Sequence, residues 1–245
     1  MGFEVGAPDR GRREAWIVRV ILPCLGIVGF ALGLVLLTPQ AFHRVFVSEY
    51  GPVELGTAAC FGAAGVLALG LAARTRGRVP GRFRLLYVVF ALGALFAALE
   101  EISYGQHFLG WRSPRWFVEQ NAQRETNLHN LFSDRPGRTL RNVALAGVVL
   151  GGIVLPAAAL WAGGQYAPGR LAYYLLPRGQ LMALVAVILL MRLFRTLPRG
   201  VRAGWDLGLF EVMELYIAVA ALLYVLVLRG RLLSGEATRD AGKSA

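Results

Sequence analysis

Carboxylates, amides and histidines concentrate in one stretch of the chain, residues 100–130, which reads EEISYGQHFLGWRSPRWFVEQNAQRETNLHN. Two of the three histidines, His107 and His129, lie in it. The stretch directly follows an apolar run, so its polar groups stand at the edge of a predicted membrane helix. Polar groups are costly at this position, so they usually bind one another or carry out a function.

One interpretation of these residues is a metal centre. Helical bundles bind metals through Glu and His side chains that project from facing helices. If residues 121–130 form a helix, Asn121, Glu125 and His129 share one face at intervals of four. A zinc hydrolase would need about three ligands and an open position. A divalent metal is therefore the predicted cofactor of this interpretation. Its candidate ligands are Glu101, Glu125, His129, Glu211 and Glu214.

A second interpretation is a structural network of ion pairs and amides. Arg192 and Arg195 share a helical face and can pair with a pair of glutamates in the next predicted helix. Buried charges need such partners, and amide side chains satisfy the remaining hydrogen bonds. A third interpretation, an ion or substrate pathway through the same charges, stays open. The predicted network comprises Glu100, Glu101, Gln106, Asn121, Gln123, Glu125, Asn127, His129, Asn130, Arg192, Arg195, Glu211 and Glu214.

The composition places these residues in a membrane protein. Hydrophobic residues make up 56% of the 245, and the mean hydropathy is +0.53. The net charge of +11 does not indicate nucleic-acid binding, because the arginines cluster at the ends of apolar runs. Arginines at such positions set membrane topology and bind anionic lipid headgroups.

Apolar runs long enough for membrane helices recur along the chain, since a span needs roughly 20 residues. The sequence predicts an all-α integral membrane bundle of about six transmembrane helices. A basic cytoplasmic N-terminus (1–15) precedes a single transmembrane domain (16–233), and a disordered tail (234–245) follows. Within the transmembrane domain, a polar outer loop (about 100–138) joins helices three and four. The first run is interpreted as an uncleaved anchor, and one interpretation extends the fifth helix across Arg178 to residues 171–176. The predicted helices are 16–37, 52–73, 85–99, 140–161, 181–191 and 207–228.

Arginine counts predict the orientation. Arg74, Arg76 and Arg78 crowd the connection between helices two and three, which places that loop and both termini in the cytoplasm. Glu100, Glu101, the polar loop and the Glu211–Glu214 pair then meet at the outer side. A second basic group contradicts this pattern, so either helix five does not span or local partners hold its arginines. That group is Arg192, Arg195, Arg199 and Arg202.

Glycines inside the apolar runs predict close packing between helices, because membrane helices associate through small residues. They are Gly62, Gly65, Gly147, Gly151 and Gly152.

The strings 100–106 (EEISYGQ) and 121–130 (NAQRETNLHN) resemble a signature of uncharacterised bacterial multi-pass membrane proteins, EEIS(W/Y)GQ followed by NxQxExNLHN. In that pattern Trp stands at the position of Tyr104 and Arg at the position of His107. The second difference favours His129 over His107 as a ligand. The resemblance implies a membrane-embedded fold and brings no activity with it.

Together these observations favour a non-catalytic protein of the bacterial inner membrane, an accessory or structural subunit of a larger assembly such as an energy-transducing complex. Its expected partners are the bilayer, anionic lipid headgroups and other membrane subunits. The alternative is a membrane metalloenzyme that acts on a lipid or quinone at the outer leaflet through the Glu/His site. A small transporter is the third hypothesis.

Overall fold

The computed structural model of the chain describes residues 40, 44–45, 50–121, 124–128, 142, 145–161, 170–177, 181–194, 196 and 206–241. The described part is helical and contains no strand, as the sequence predicts. The predicted first helix (16–37) lies outside the described residues. So do four of the predicted site residues, Gln123, His129, Asn130 and Arg195.

Eight α-helices of the described part have defined bounds, and residues 145–149 are helical as well. A 3-10 turn, Ser103–Gly105, leads into the third, and a π-helical segment, Leu150–Val154, leads into the fifth. The helices are α1 (Pro52–Arg74), α2 (Gly81–Glu101), α3 (Gln106–Leu109), α4 (Arg115–Gln120), α5 (Leu155–Trp161), α6 (Leu171–Leu175), α7 (Met182–Phe194) and α8 (Asp206–Ala241).

Three helices of the described part are long and apolar enough to cross a membrane. They are Pro52–Arg74, Gly81–Glu101 and Glu211–Leu233, and they coincide with predicted helices two, three and six. Predicted helices four and five correspond to shorter apolar helices, Leu145–Ala159 and Leu184–Leu193. The described part of the chain is therefore all-helical and contains three candidate membrane spans.

Predicted helix five differs from the structure in its proposed extension. Residues 171–175 form the separate helix α6, because Leu176 is extended (φ −101°, ψ 137°). Leu176 precedes Pro177, and a residue before proline is sterically disfavoured in the helical conformation. The guanidinium of Arg231 completes the end of α6, since its Nη1 donates to the carbonyls of Ala172 (3.3 Å) and Leu176 (2.8 Å).

The end of the last helix also differs from the prediction. The predicted disordered tail begins at residue 234, but α8 continues to Ala241. Of the residues in its last turns, Glu236, Ala237 and Arg239 favour helix, whereas Ser234, Gly235, Thr238 and Asp240 favour it less. Residues 242–245 lie outside the described part.

The centre of the bundle is an interface of small residues. Ala64 and Ala68 of α1 are buried against Ala91 and Ala94 of α2. A Cβ atom at Gly65 would lie 2.6 Å from Leu95 Cγ and 3.0 Å from the carbonyl oxygen of Ala91, so this glycine permits the close approach of the two helices. Such small-residue contacts replace the hydrophobic effect as the cause of helix association in lipid.

The other predicted packing glycines divide into two groups. A Cβ at Gly152 would lie 2.6 Å from Val185 Cγ2 of α7, whereas a Cβ at Gly62 would make only an ordinary contact, 3.9 Å from Ala98 Cβ. Gly147 and Gly151 face open space. Close packing at glycine is therefore confirmed at Gly65 and Gly152.

The two ends of the helices carry opposite charge. α1 and α8 run from a glutamate-bearing end to an arginine-bearing end, and α2 runs in the reverse direction. The acidic end carries Glu54, Glu100, Glu101, Glu211 and Glu214, and the basic end carries Arg74, Arg76, Arg78, Arg82, Arg84, Arg229 and Arg231. This polarity brings the predicted acidic residues of α2 and α8 to the same end of the bundle.

Replacing Gly65 with Ala should destabilise the protein by about 1–3 kcal/mol, the usual range for overpacking a filled interface. The matched control is Gly70→Ala in the same helix, where nothing lies within 4 Å of the added Cβ. Unfolding by denaturant in detergent micelles, followed by circular dichroism, measures both. Equal stability of the two variants would contradict the packing described for Gly65.

Candidate functional site: a polar network at the acidic end

The site begins where the chain turns sharply after α2. Ser103, Tyr104 and Gly105 have positive φ angles of 45°, 55° and 77° in succession. A left-handed conformation costs a non-glycine residue roughly 1–2 kcal/mol, so surrounding contacts must hold two of these three residues. The turn ends the helix at Glu101 and directs the following residues back across the end of the bundle.

Glu100 holds the loop from the helix side. Its side chain is buried, with 4% of the residue exposed. The carboxylate accepts a hydrogen bond from the hydroxyl of Tyr104 and another from the backbone N–H of Leu128, at 2.6 Å. Burial, with the hydrogen bond to Glu100 and the charge of that carboxylate, raises the pKa of Tyr104. Tyr104 therefore stays a neutral donor.

Glu125 is the centre of the loop. This residue is 5% exposed. Its Oε2 accepts from the hydroxyl of Ser103 and from Asn127 Nδ2 at 3.3 Å, and its Oε1 lies 2.8 Å from Nε2 of His107. A buried carboxylate is stable only with such partners. The three donors come from both sides of the loop, so Glu125 joins the turn after α2 to the returning chain.

Amide side chains extend this network. Asn127 Nδ2 also donates to Ser103 Oγ at 2.9 Å. Asn121 Nδ2 donates to the backbone carbonyl of Asn127 at 2.9 Å and to its Oδ1 at 2.7 Å. Both asparagines are buried. Their hydrogen bonds join the beginning of the returning segment, at Asn121, to Asn127 near its end.

Gln106 makes a second connection across the loop. Its Oε1 accepts from Ser113 Oγ at 2.9 Å and from the backbone N–H of Thr126 at 3.0 Å. Ser113 Oγ in turn accepts from Thr126 Oγ1 at 3.1 Å. Gln106 thus connects the segment that follows the turn to the returning chain.

The condition for a shared face of Asn121 and Glu125, a helix through these residues, is not met in the described part. Asn121 is extended (φ −95°, ψ 132°), and Arg124 has a positive φ of 59°. Asn121 and Glu125 consequently do not share a helical face. The side chain of Asn121 bonds Asn127 instead, which shows why asparagine favours turns over helix here.

The predicted metal ligands fall into separate groups. Glu101 interacts electrostatically with Glu214, Glu211, Glu54 and Glu100, so acidic residues of α1, α2 and α8 influence one another at this end of the bundle. Glu125 belongs to the hydrogen-bonded loop described above, and His129 lies outside the described residues. Among the residues that the structure describes, no group of three or more His, Cys, Asp or Glu is arranged to hold a metal ion.

Of the two arginines in the predicted ion pairs, the structure describes only Arg192. Nη2 of Arg192 donates to Oδ1 of Asn142 at 3.1 Å. This contact gives one local partner to the arginines that contradict the topology pattern. Arg195 lies outside the described residues, so its predicted pairing with Glu211 and Glu214 stays a prediction.

Sequence reasoning missed His107, Ser103 and Tyr50. The ring of Tyr50 lies 4.5 Å from that of His107, centroid to centroid. Every non-glycine residue with positive φ in the described part adjoins the site: Tyr50 contacts His107, Ser103 bonds Glu125, Tyr104 bonds Glu100, and Arg124 precedes Glu125. The glycines on either side of α3, at 105 and 110, were the available sequence signal for a tight turn around His107.

Comparison with known proteins adds no relative. No protein-family model matches the chain, and no curated protein or solved structure matches it significantly. The arguments about function therefore start from the site itself.

Glu125→Gln should destabilise the protein by about 1–3 kcal/mol, because an amide presents one oxygen to three donors and leaves buried groups unsatisfied. Glu119→Gln is the control. Among the described residues Glu119 pairs with Arg115, at 2.8 Å, and both side chains are exposed. Its loss should change stability by less than about 0.5 kcal/mol. Denaturant unfolding in micelles measures both; a control as destabilised as Glu125→Gln would refute the central place of Glu125.

Proposed function

We propose that the protein is a non-catalytic, multi-pass protein of the bacterial inner membrane that serves as a subunit of a larger membrane assembly. The observation that carries this proposal is the closed network of the polar loop. The carboxylates of Glu100 and Glu125 and the side chains of Gln106, Asn121 and Asn127 bond to other groups of the same region. Groups used in this way fold the loop and are not available to bind a substrate.

The charge polarity of the bundle supports an orientation. Under the positive-inside rule the arginine-bearing end is cytoplasmic, and the polar loop is outside. Six spans, with both termini in the cytoplasm, agree with this placement. The arginines at the cytoplasmic end would contact anionic lipid headgroups, each contributing on the order of 1 kcal/mol.

An exposed stripe on α2 supports association with other membrane subunits. Leu85, Val89, Leu92, Phe96 and Leu99 are between 43% and 63% exposed. They recur at intervals of four and three, the spacing of a helix–helix seam. In an assembly this stripe would meet a helix of another subunit.

The acidic cluster favours a second candidate, a metalloenzyme acting on a lipid or quinone at the outer leaflet. Glu101 interacts electrostatically with Glu214, Glu211 and Glu54, although these described residues are not arranged as a metal site. Repulsion among these carboxylates must be offset, and a divalent metal is one means of doing so. Glu125 and His129 were the other predicted ligands; the structure gives Glu125 other partners.

Native mass spectrometry of the protein, extracted gently from its own membrane, separates these functions. The assembly subunit should leave the membrane with stoichiometric partner chains and without metal. Leu92→Ala with Phe96→Ala, in the stripe, should release the partners, whereas Leu86→Ala, exposed but outside the stripe, should not. A monomer whose excess mass is removed by a chelator would favour the metalloenzyme and contradict the assembly subunit.

A further inference from the structure

The turn between α1 and α2 concentrates positive charge. Five arginines lie within residues 74–84, and the sequence has no aspartate or glutamate from residue 55 to residue 99. Arginine keeps its charge in proteins, so this positive surface does not depend on the protonation state of a side chain. Four of the five are exposed, namely Arg74, Arg76, Arg78 and Arg82.

The backbone of this turn is held in one conformation. Thr75 is 1% exposed, and its Oγ1 donates to the carbonyl of Leu71 at 2.7 Å. The backbone N–H groups of Arg78 and Val79 donate to the carbonyl of Thr75 at 3.1 and 3.0 Å. Gly77 supplies the left-handed residue, with a φ of 81°, and Val79 is buried. Because the turn is already ordered, its arginines bind a ligand at a lower cost in entropy.

Two other arginines at this end of the bundle hold the backbone. Nε of Arg84 donates to the carbonyl of Ala72 at 2.9 Å, and Nη1 of Arg231 donates to that of Tyr173 at 2.9 Å. They thereby satisfy carbonyls in the last turns of α1 and α6. These two side chains are part of the fold, whereas the four exposed arginines of the turn lie at its surface.

A buried aromatic ring supports Arg82. The Cζ atom of Arg82 lies 4.9 Å from the centroid of the Phe83 ring. Phe83 is 4% exposed, and its ring stacks on that of Tyr174 in α6, with the centroids 4.8 Å apart. Attraction between the guanidinium and the ring restricts the side chain of Arg82, so less freedom is lost when it binds an anion.

The position of the turn indicates what binds there. It joins the helices Pro52–Arg74 and Gly81–Glu101, both candidate membrane spans, so in a membrane it lies at the depth of the lipid headgroups. Basic sites at the cytoplasmic ends of membrane helices bind headgroups that carry more than one phosphate. One phosphate neutralises a single positive charge of the turn. Two linked phosphates neutralise two, and the second binds at the high effective concentration that the linkage provides.

We propose that Arg74, Arg76 and Arg82 form a binding site for a phospholipid whose headgroup carries two phosphates, such as cardiolipin. The phosphate oxygens accept charge-assisted hydrogen bonds from the guanidinium groups. The site rests on the membrane placement and the anionic-lipid contact proposed above, and it gives that contact a specific location and headgroup. It needs no partner chain, so its failure is distinguishable from failure of the assembly subunit.

Native mass spectrometry of the purified protein in detergent tests the site. The protein is titrated with cardiolipin and, in a separate series, with phosphatidylglycerol, which carries one phosphate. The Kd of the first lipid bound, expressed per phosphate, should be about fivefold lower for cardiolipin. This ratio corresponds to about 1 kcal/mol for one more phosphate beside an arginine. Equal Kd values in the unaltered protein would overturn the proposal, whether or not partner chains leave the membrane with it.

A triple variant locates the site. Replacing Arg74, Arg76 and Arg82 together with Gln should abolish the preference for cardiolipin. The circular dichroism spectrum should stay that of the unaltered protein, because all three side chains are exposed. An undiminished preference in this variant would overturn the assignment to the turn.

The control removes the same number of positive charges from the polar loop at the opposite end of the bundle. Arg112, Arg115 and Arg124 are exposed there. With Gln at these three positions, the preference should remain about fivefold. Its loss in both triple variants would show that net charge decides the preference, and would overturn the site.

Discussion

Two buried carboxylates at the end of a helical bundle impose the constraint on which the polar loop depends. Glu100 and Glu125 are almost fully buried and must be hydrogen-bonded to remain so. Their donors can be brought together only if the chain reverses directly after α2, which requires left-handed residues at Ser103 and Tyr104. The strain in the turn and the bonds to the carboxylates are thus two parts of one arrangement.

The same arrangement links the loop to the long helices of the bundle. Glu100 belongs to α2, which packs on α1 through alanines and Gly65. Leu128 donates to Glu100 across 28 residues of chain. The loop is therefore attached to the most closely packed pair of helices, and this attachment fixes the position of His107 at the bundle end.

The sequence was sufficient to predict the helical membrane class and the long helices α1, α2 and α8, because apolar length alone decides them. It was also sufficient to place Gln106, Asn121, Glu125 and Asn127 in one polar region. It was not sufficient to predict their contacts. The side chains of asparagine and serine can hydrogen-bond to nearby backbone groups, and these bonds compete with helix formation. The interval of four residues from Asn121 to Glu125 therefore did not reveal that the chain turns there. His107 was disfavoured because the resembling pattern has Arg at its position, and its partner, Glu125, is 18 residues away in the chain. The end of a helix at Leu176, by contrast, can be predicted from the proline that follows it.

Hydrogen–deuterium exchange in the isolated protein tests most directly whether the loop is held by its own carboxylates. The amides of Thr126 and Leu128 donate to Gln106 and Glu100. Peptides that contain them should be protected for minutes or longer in detergent, with no partner present, and Glu100→Gln should lower the protection at Leu128. Exchange within seconds in the unaltered protein, as in an unfolded segment, would contradict the account.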